Sequence, residues 1–544
     1  MKKKIISMIL TGSVLLSLAA CKSQPARALD ETVSDQETEQ TTVSVIESTS
    51  EDITDETVFI RNTFLPVNTE DEDPLIHFDP LTSATRLFPI YVMIGKNSPV
   101  YTFDPGFYND AVYRMGFVDI NGEIVGDPDF SYVRYFEYND SYIAVKKGEF
   151  GITSCGFISA DGTKCTGFDF NGFYVDYDGV AYLSKYEKGK MTISCYDKDL
   201  NVVFENKEIN VDANIASIFH DGKGVCVRAV YDNTTLIGKM DILHSTYNCL
   251  IENESGKVIK SVDRFYGDVL VDNGNMSISV FDKDGNEILD GYKRFEYLDG
   301  NGILLINDIE VISIDKEGNI INKVDLKEGY TISLSDNFVV INNDYKTHIY
   351  DDQLNLISKC LDVHLESGLL FEIVKGDPSS IVFTSFVGGF VENINTGKKI
   401  SFDLNNSDWT VNTKSNYLYV DNSNDPNATE EIIGYFDKDL NKIDVPNGKG
   451  YSSKDLVTGE VYVSYYDEET NKSIVYNVTT GEKYCELENN LYDYFMVYDG
   501  VLCGLTGNNM IWVQNTHHNV TNVFNSVLVG KDGNLMVSYD VITE

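Results

Sequence analysis

Apolar and polar residues alternate along most of the chain, beginning near residue 58. Val, Ile, Tyr and Phe occupy every second position in short runs, with polar residues between them. An alternation of period two places one set of side chains on each face of a strand. No stretch of this region keeps an apolar stripe of period 3.6 between capping residues. The pattern predicts an all-β domain over residues 58–544.

A short turn sequence recurs between these apolar runs. Most copies open on Asp or Asn, whose side chain accepts backbone N–H bonds, and close on Gly or Asn, which supplies a left-handed residue. In the form Asp-x-Asp-Gly, the sequence is typical of a type I turn followed by a bulge, a common three-residue hairpin loop. The eleven copies lie at residues 119–122, 160–162, 197–201, 253–256, 282–285, 315–318, 351–355, 393–397, 437–441, 477–481 and 531–533.

The spacing of these turns indicates how the strands are grouped. The mean spacing is about 41 residues, and four short strands with their turns need roughly that length, one propeller blade. Individual spacings are irregular, so we expect some hairpins at the inner side of a blade and some at the outer side. We therefore predict a β-propeller of about seven or eight blades. A β-solenoid or two smaller propellers are the alternatives.

A closed propeller needs a strand that joins its two ends, because an unpaired edge strand invites aggregation. Residues 91–94 (YVMI) precede the first turn copy and have the apolar character of a strand. We expect them to close the ring against the last blade, near residues 535–537.

Two segments resemble a known repeat family. Residues 116–125 (GFVDINGEIV) and 156–163 (GFISADGT) look like the WG repeat of bacterial proteins, although Met115 and Cys155 stand in place of the Trp that names it. The likeness extends over residues 112–182 and decays afterwards. Residues 477–484 (NVTTGEKY) are more similar to the turn of quinoprotein-type propellers. These resemblances imply a repeated β architecture, a propeller, and transfer no catalytic residue.

The first twenty-one residues resemble a bacterial lipoprotein signal. Three lysines follow Met1, an apolar run covers residues 5–18, and the segment ends in Leu18-Ala19-Ala20-Cys21. The run is shorter than the ~20 apolar residues that span a bilayer, and it fits the apolar region of a secretory signal. The resemblance implies that residues 1–20 are a signal peptide and that the Cys21 thiol receives a diacylglyceryl group. We predict that this lipid is the only membrane contact, on the extracytoplasmic face of a bacterial cell membrane.

A linker is predicted to separate this anchor from the β domain. Residues 22–57 contain ten acidic residues, two basic residues and no aromatic residue. Such a segment cannot bury enough apolar surface to offset the entropy of ordering it. We therefore divide the chain into a signal peptide (1–20), a lipidated disordered acidic linker (21–57) and a repeat β domain (58–544).

Charge and motifs narrow the function classes. The chain has 43 Lys and Arg against 85 Asp and Glu, a net charge of −42, and binding to phosphates needs a basic field, so we expect no nucleic-acid partner. Cys-x-x-Cys, His-Glu-x-x-His, Gly-x-Ser-x-Gly and phosphate-loop motifs are absent from the sequence. We therefore name no catalytic, cofactor-binding or metal-ligating residue and expect no cofactor.

The Asp-rich turns raise a calcium hypothesis. Asp197, Asp199, Asn201 and Glu208 match positions 1, 3, 5 and 12 of an EF-hand loop, but Val202 stands where that loop needs Gly. Hairpin turns that require Asp or Asn explain every copy, and we favour that interpretation. The eight cysteines other than Cys21 lie mostly among apolar strand residues, which favours packed thiols over disulfides.

Three functional hypotheses remain at this point. The leading one is a lipid-anchored propeller that acts as a binding or scaffold protein at a bacterial cell surface, with an unidentified protein or glycan ligand. The first alternative is an extracellular enzyme that acts on glycan or peptide through carboxylates in the propeller funnel, which two acids and an aromatic ring at one mouth would favour. The second alternative is an envelope assembly factor that binds other proteins. The missing catalytic motifs favour binding over catalysis.

Overall fold

The structure, a computed structural model, consists of β-strands and turns wherever it describes the chain, with no helix among those residues. They belong to one compact unit, Thr57–Glu544. The predicted signal peptide and linker lie outside them. The described residues are 75–94, 113–148, 151–176, 178–187, 189–212, 225–239, 248–273, 277–298, 302–335, 338–343, 346–360, 368–372, 381–385, 390–393, 396–401, 408–412, 417–421, 433–437, 439–446, 450–491, 495–507 and 524–543.

The strands form small sheets in which neighbours along the chain pair antiparallel. Ten sheets are present among the described residues, and the largest joins the first strands of the chain to the last. Dividing that sheet at the junction gives eleven modules, numbered here in chain order. Module 1 contains β1 (Phe88–Ile94), β2 (Tyr113–Val118) and β3 (Ile124–Phe130), and module 2 contains β4 (Tyr132–Phe136), β5 (Ser141–Gly148) and β6 (Gly151–Ser159). Module 3 contains β7 (Gly172–Val175), β8 (Ala181–Glu187), β9 (Lys190–Tyr196) and β10 (Val202–Asn210), and module 4 contains β11 (Val225–Val230), β12 (Thr234–Lys239), β13 (Asn248–Glu252) and β14 (Val258–Val262). Module 5 contains β15 (Arg264–Tyr266), β16 (Val269–Asn273), β17 (Ile278–Phe281) and β18 (Glu287–Tyr292).

The same arrangement continues through the second half of the chain. Module 6 contains β19 (Arg294–Leu298), β20 (Gly302–Ile306), β21 (Glu310–Ile314) and β22 (Ile320–Asp325), and module 7 contains β23 (Thr331–Ser335), β24 (Phe338–Asn343), β25 (Lys346–Asp351) and β26 (Leu356–Cys360). Module 8 contains β27 (Gly368–Glu372), β28 (Ile381–Ser385), β29 (Phe390–Asn393) and β30 (Lys398–Ser401), and module 9 contains β31 (Asp408–Asn412), β32 (Tyr417–Asp421) and β33 (Ile433–Phe436). Module 10 contains β34 (Tyr451–Lys454), β35 (Val461–Asp467), β36 (Lys472–Asn477) and β37 (Glu482–Glu488), and module 11 contains β38 (Asn490–Leu491), β39 (Met496–Tyr498), β40 (Val501–Gly507), β41 (Phe524–Val529) and β42 (Leu535–Thr543).

The eleven predicted turns occupy one equivalent place, after the last or next-to-last strand of each module. In modules 2 and 9, which end at β6 and β33, isolated bridges beyond the turn (Ile158↔Cys165 and Phe436↔Lys442) take the place of a final strand. The expectation of mixed inner and outer hairpins was therefore wrong, and so was the count of seven or eight blades derived from it. One turn marks one module, and the irregular spacing reflects the unequal lengths of the other loops.

The turn geometry is the predicted one. The Asp282 N–H donates to the carbonyl of Asn286 (2.9 Å) and the Gly285 N–H donates to the carbonyl of Asp282 (3.0 Å). Asp282 Oδ1 accepts the backbone N–H bonds of Asp284 (3.0 Å) and Asn286 (2.8 Å). This double acceptance from residues two and four positions ahead recurs at Asp119, Asp197, Asp315, Asp351 and Asp437.

The left-handed residue differs from the prediction in three turns. Gly takes this conformation in eight turns, but Leu200 (φ 56°), Leu354 (φ 61°) and Leu440 (φ 58°) take it where Asn was expected. The conformation costs a non-glycine residue about 1–2 kcal/mol. All three leucine side chains are buried, and burial of a leucine contributes about 1.5–3 kcal/mol. Packing against the neighbouring module therefore offsets the backbone cost.

Glycine at several of the other turns makes room for the preceding module. A Cβ built on Gly285 would lie 2.8 Å from Cγ2 of Ile259 in β14, and one on Gly318 would lie 2.4 Å from Cδ1 of Ile288 in β18. Thus the turn of each of these modules accepts an aliphatic side chain from the last strand of the module before it.

Successive modules contact one another in chain order. Apolar clusters join each pair from modules 1 and 2 through modules 6 and 7, and again from modules 9 and 10 through modules 10 and 11. Strand β23 contacts β27 between modules 7 and 8, and Lys398 Nζ donates to Asn441 Oδ1 (2.8 Å) between modules 8 and 9. Met115 and Cys155, at the positions of the missing Trp residues, are buried in the first two of these interfaces.

The last module packs on the first, which closes the circuit. Strand β1 pairs with β42 at Met93↔Ile542 and Ile94↔Thr543, and Ser526 Oγ in β41 donates to the carbonyl of Tyr91 (2.9 Å). A Cβ built on Gly122 would lie 2.0 Å from Cγ2 of Val537 in β42. The turn of module 1 thus packs against the last strand of module 11, as the turns at Gly285 and Gly318 pack against the modules before them. The predicted closure by residues 91–94 is confirmed, but the strand pairing joins them to residues 542–543 and not to residues 535–537.

These contacts define a β-propeller. The fold prediction, all-β with repeated sheets closed into a ring, is confirmed. Antiparallel sheets do not match the coil-to-coil parallel pairing of a β-solenoid, and the contacts run from module 1 to module 11 and back in one circuit rather than two. None of the described residues lies in an apolar helix long enough to cross a bilayer.

Candidate functional site

Two cavities lie where the first strands of several modules converge. We call the larger one the seam cavity, because it lies where modules 1 and 2 meet modules 10 and 11. We call the smaller one the tyrosine cavity; it lies among modules 3 to 6. Their volumes, about 530 Å³ and about 360 Å³, fall within the range of about 300–1,000 Å³ that is common for ligand sites.

Aromatic side chains form much of the wall of the tyrosine cavity. They come from the first two strands of module 3, from the residue that follows β11, and from β15. The Tyr174 and Phe265 rings are in contact, with centroids 6.0 Å apart, and the Arg228 guanidinium lies over the Tyr174 ring at 4.5 Å. The aromatic lining residues are Tyr174, Tyr182, Tyr231, Phe265 and Tyr266.

Carboxylates and cations complete the wall of the tyrosine cavity. Asp176, Asp178 and Asp268 line it together with Arg228 and Lys316. Lys316, in the turn of module 6, forms an ion pair with Asp178 at 2.6 Å. The charges in the wall therefore nearly balance, and they surround half-buried aromatic rings.

Asp176 has an unusual environment within this cavity. Its Oδ1 accepts the backbone N–H bonds of Asp178 (3.0 Å) and Val180 (2.8 Å). Burial raises the pKa of this carboxyl above its ordinary value, and those hydrogen bonds only partly oppose the effect. Asp176 is thus both a turn residue and a carboxyl whose protonated form is favoured more than usual.

Three tyrosines of this cavity stay protonated at physiological pH. Burial raises the pKa of Tyr266 to about 12, and burial likewise raises the pKa of Tyr182 and Tyr231. Their hydroxyl groups are therefore hydrogen-bond donors as well as acceptors. Tyr231 donates to the carbonyl of Gly267 at 3.3 Å.

The seam cavity has a different character. Its wall is more apolar and includes Tyr132, Phe495 and Leu505, all buried. Arg134 and Lys454 are the charged residues of its described lining, and no carboxylate is among the lining residues. This is a cationic, apolar cavity in a chain with twice as many acidic as basic residues.

An arginine beside the seam cavity connects modules 1, 2 and 11. The Arg86 guanidinium lies 3.3 Å from the centroid of the Tyr498 ring and 5.1 Å from that of Tyr135. It also forms an ion pair with Asp140 at 2.6 Å. These contacts join the two ends of the chain and help to define the wall that contains Tyr135.

The residues singled out in the sequence lie elsewhere or have structural roles. Cys21, the predicted lipidation site, lies outside the described residues, so its lipidation stays a prediction. The turn carboxylates accept backbone N–H bonds, and the described residues include no group of three or more His, Cys, Asp or Glu placed to hold a metal ion. Seven cysteines whose side chains the structure describes form no disulfide: Cys155, Cys165, Cys195, Cys226, Cys249, Cys485 and Cys503.

Comparisons with known proteins add little at the level of function. No protein-family profile matches the chain, and no curated protein sequence matches it. Among solved structures it is similar to BamB from Moraxella catarrhalis, with 11% identity over 54% of this chain and 94% of that chain and a TM-score of 0.21. It is also similar to apo AztD from Citrobacter koseri, with 12% identity over 59% of this chain and 94% of that chain and a TM-score of 0.22.

A third similar structure is a eukaryotic initiation factor, with 9% identity over 78% of this chain and 93% of that chain and a TM-score of 0.31. BamB and AztD are β-propeller proteins. Identities and scores this low carry no argument about function, and the fold assignment given above rests on strand pairing and module contacts.

Sequence reasoning missed both cavities. Their residues come from up to four modules, and most of them belong to no local motif. The one feature of the sequence that could have indicated aromatic cavities was the abundance of Tyr and Phe, 34 and 28 residues. That abundance predicted strands, but it did not indicate which aromatic rings would lie close together.

Proposed function

We propose that this protein is a lipid-anchored, extracytoplasmic binding protein of a bacterial cell surface, and that its tyrosine cavity binds a glycan. The lipoprotein-like segment ending at Cys21 and the acidic linker support the location. The tyrosine cavity supports the ligand class, and it is the observation that carries the proposal.

The chemistry of the cavity suits a sugar. A sugar ring has a face of C–H groups and a rim of hydroxyl groups. The half-buried rings of Tyr174, Tyr182 and Tyr231 offer flat apolar surfaces for the face, whereas Asp268 and Arg228 offer an acceptor and a donor for the rim. Because the wall charges nearly balance, a neutral ligand fits better than a strongly charged one.

Titration of the purified protein with a panel of soluble bacterial and host oligosaccharides tests the ligand class. We expect at least one oligosaccharide to bind, and Tyr174→Ala to weaken its binding by about tenfold, which corresponds to the loss of one stacking surface. Tyr174→Phe retains the ring and should bind nearly as the original protein does. Tyr466→Ala, an exposed tyrosine of module 10, is the matched control. The glycan proposal fails if no oligosaccharide binds or if Tyr174→Ala leaves binding unchanged.

Cell fractionation tests the location independently. Cys21→Ala removes the thiol that would carry the lipid, and we expect this variant to be released into the medium while the original protein stays with the membrane fraction. Retention of Cys21→Ala with the membrane would contradict the anchor.

Hydrolysis of a glycan is the second candidate function. Asp176, with its raised pKa, lies in a wall with two further carboxylates and several rings, and glycoside hydrolysis uses an acid of raised pKa paired with a second carboxylate. Asp176→Asn keeps an oxygen acceptor for the turn and removes the acid. In an enzyme, the bound oligosaccharide would be shortened over time and Asp176→Asn would abolish the products; recovery of the intact oligosaccharide after prolonged incubation identifies a binding protein.

A further inference from the structure

We infer that the seam cavity is a second binding site, and that it takes an organic anion with an apolar body, such as a medium-chain or aryl-substituted carboxylate. This site is separate from the tyrosine cavity, and the inference does not depend on glycan binding. It rests on the charge of the lining, on its apolar floor and on the way in which the fold builds it.

The sign of the charge is the first argument. The chain carries 85 acidic and 43 basic residues, so a wall chosen without preference would contain acids about twice as often as bases. The described lining of the seam cavity instead contains Arg134 and Lys454 and no acid. Both side chains are exposed, so they can reach a ligand without first leaving a buried ion pair.

The charges near the two cations are the second argument. Asp455 follows Lys454 directly, but its carboxylate is buried and accepts four backbone N–H bonds, from Val457, Thr458, Asp499 and Gly500. Asp140 is engaged by Arg86 at 2.6 Å. These two neighbouring carboxylates therefore have partners of their own, and the positive charge of the wall is available for an anion.

The apolar floor is the third argument. The lining is mostly apolar and aromatic, and its residues Tyr91, Leu456 and Met496 are only partly buried, so they present apolar surface to the cavity. An aliphatic chain or an aryl ring in this space removes apolar surface from water on both sides. An inorganic anion would leave that surface exposed, so the cavity favours an anion with an apolar body.

The position in the fold explains why such a site exists here. The wall combines β1, β2, β4, β34, β40 and β41, so it exists only when the two ends of the chain have met. A ligand that contacts modules 1, 2, 10 and 11 together binds the closed ring and not an opened one, and it should stabilise closure by mass action.

Calorimetric titration with decanoate, below its micelle concentration, tests the inference. Decanol and decylamine carry the same chain with a neutral and a cationic end, and hexanoate carries the same end with a shorter chain. We expect decanoate to bind with one-to-one stoichiometry. We expect decanol, decylamine and hexanoate each to bind at least about tenfold more weakly than decanoate. A second pair of ligands is an acetylated tripeptide ending in leucine and the same tripeptide with a C-terminal amide. This pair tests whether the carboxylate that the cavity binds is the terminus of a peptide and not that of a small fatty acid.

Variants then locate the site. Arg134→Gln and Lys454→Gln should each weaken decanoate binding about tenfold and leave the weak binding of decanol unchanged. Lys257→Gln, which removes one exposed positive charge directly after the turn of module 4, should have no effect. Far-UV circular dichroism and the thermal midpoint of each variant confirm that the ring is intact.

Two outcomes overturn the inference. One is equal affinity for decanoate and decanol, which would show that charge contributes nothing. The other is decanoate binding that survives both Arg134→Gln and Lys454→Gln in folded protein, which would place the ligand elsewhere. In addition, decanoate should slow hydrogen exchange in β1 and β42, and unchanged exchange there would contradict binding at the seam.

Discussion

The packing of Gly122 against Val537 allows a sharp test of ring closure. Gly122, in the turn of module 1, has φ 76°, and a Cβ built on it would lie 2.0 Å from Cγ2 of Val537 in β42. Val537 is 3% exposed, within the cluster that joins the last module to the first, so it has little room to move away. We predict that Gly122→Ala destabilises the seam between modules 11 and 1.

Two costs add in this variant. A left-handed alanine costs about 1–2 kcal/mol, and overpacking of a buried site costs about 1–3 kcal/mol. Gly291→Ala separates them, because Gly291 also has a left-handed φ (82°) but an added Cβ would meet nothing within 4 Å. We therefore expect Gly122→Ala to cost about 1–3 kcal/mol more than Gly291→Ala.

Hydrogen exchange followed by mass spectrometry measures the local effect. Gly122→Ala should speed exchange in residues 88–94 and 535–543, and Gly291→Ala should leave those segments unchanged. The double variant Gly122→Ala with Val537→Ala removes the clashing methyl group, so the two substitutions should cost less together than the sum of their separate costs. Equal effects of Gly122→Ala and Gly291→Ala at the seam would refute the closure described here.

Three further predictions concern other parts of the ring. Asp455→Asn should lower the free energy of unfolding by about 1.5–3 kcal/mol, the value of hydrogen bonds to a charged group, as measured by urea denaturation. Burial acts to raise the pKa of Asp455, but the backbone N–H bonds that its carboxylate accepts outweigh burial and hold the pKa below its ordinary value. The stability that this carboxylate contributes is therefore complete above about pH 4 and is lost as the pH falls through its folded-state pKa. Asp455→Asn should reduce this loss of stability in acid, and an unaltered pH profile of stability would contradict the role assigned to Asp455. Iodoacetamide at pH 8 should label Cys485 and Cys503 slowly in the native protein, because burial raises the pKa of each thiol to about 12, and quickly in denaturant; fast native labelling would contradict their burial. Because the turn carboxylates accept backbone N–H bonds, EDTA should leave the unfolding temperature unchanged, and a clear rise on adding Ca²⁺ would revive the calcium hypothesis.

Local chemistry accounts for what the sequence predicted correctly. The carboxylate of Asp282 bonds N–H groups two and four residues ahead, so four or five residues suffice to specify such a turn. Alternation of period two likewise specifies a strand without reference to the rest of the chain. The apolar residues 91–94 pointed to a closing strand because a ring must pair or cover its edges.

The number of modules was misjudged because turn spacing alone does not show where a hairpin lies within a sheet. The left-handed leucines were missed for a related reason. Propensity disfavours leucine in that conformation, and only the apolar surface of the neighbouring module makes it stable at Leu200 and Leu354. Both errors arise where contacts between modules outweigh local preference.

The sequence by itself determined an all-β chain of repeated hairpins, acidic overall, behind a segment that resembles a lipoprotein signal. Tertiary structure alone decided how many modules the described residues form, at which residues β1 pairs with β42, and which side chains line the two cavities. The physical reason is distance along the chain: Tyr91 and Ser526 are 435 residues apart and share two hydrogen bonds. Such pairs depend on the summed geometry of every module between them, and no short stretch of sequence encodes that sum.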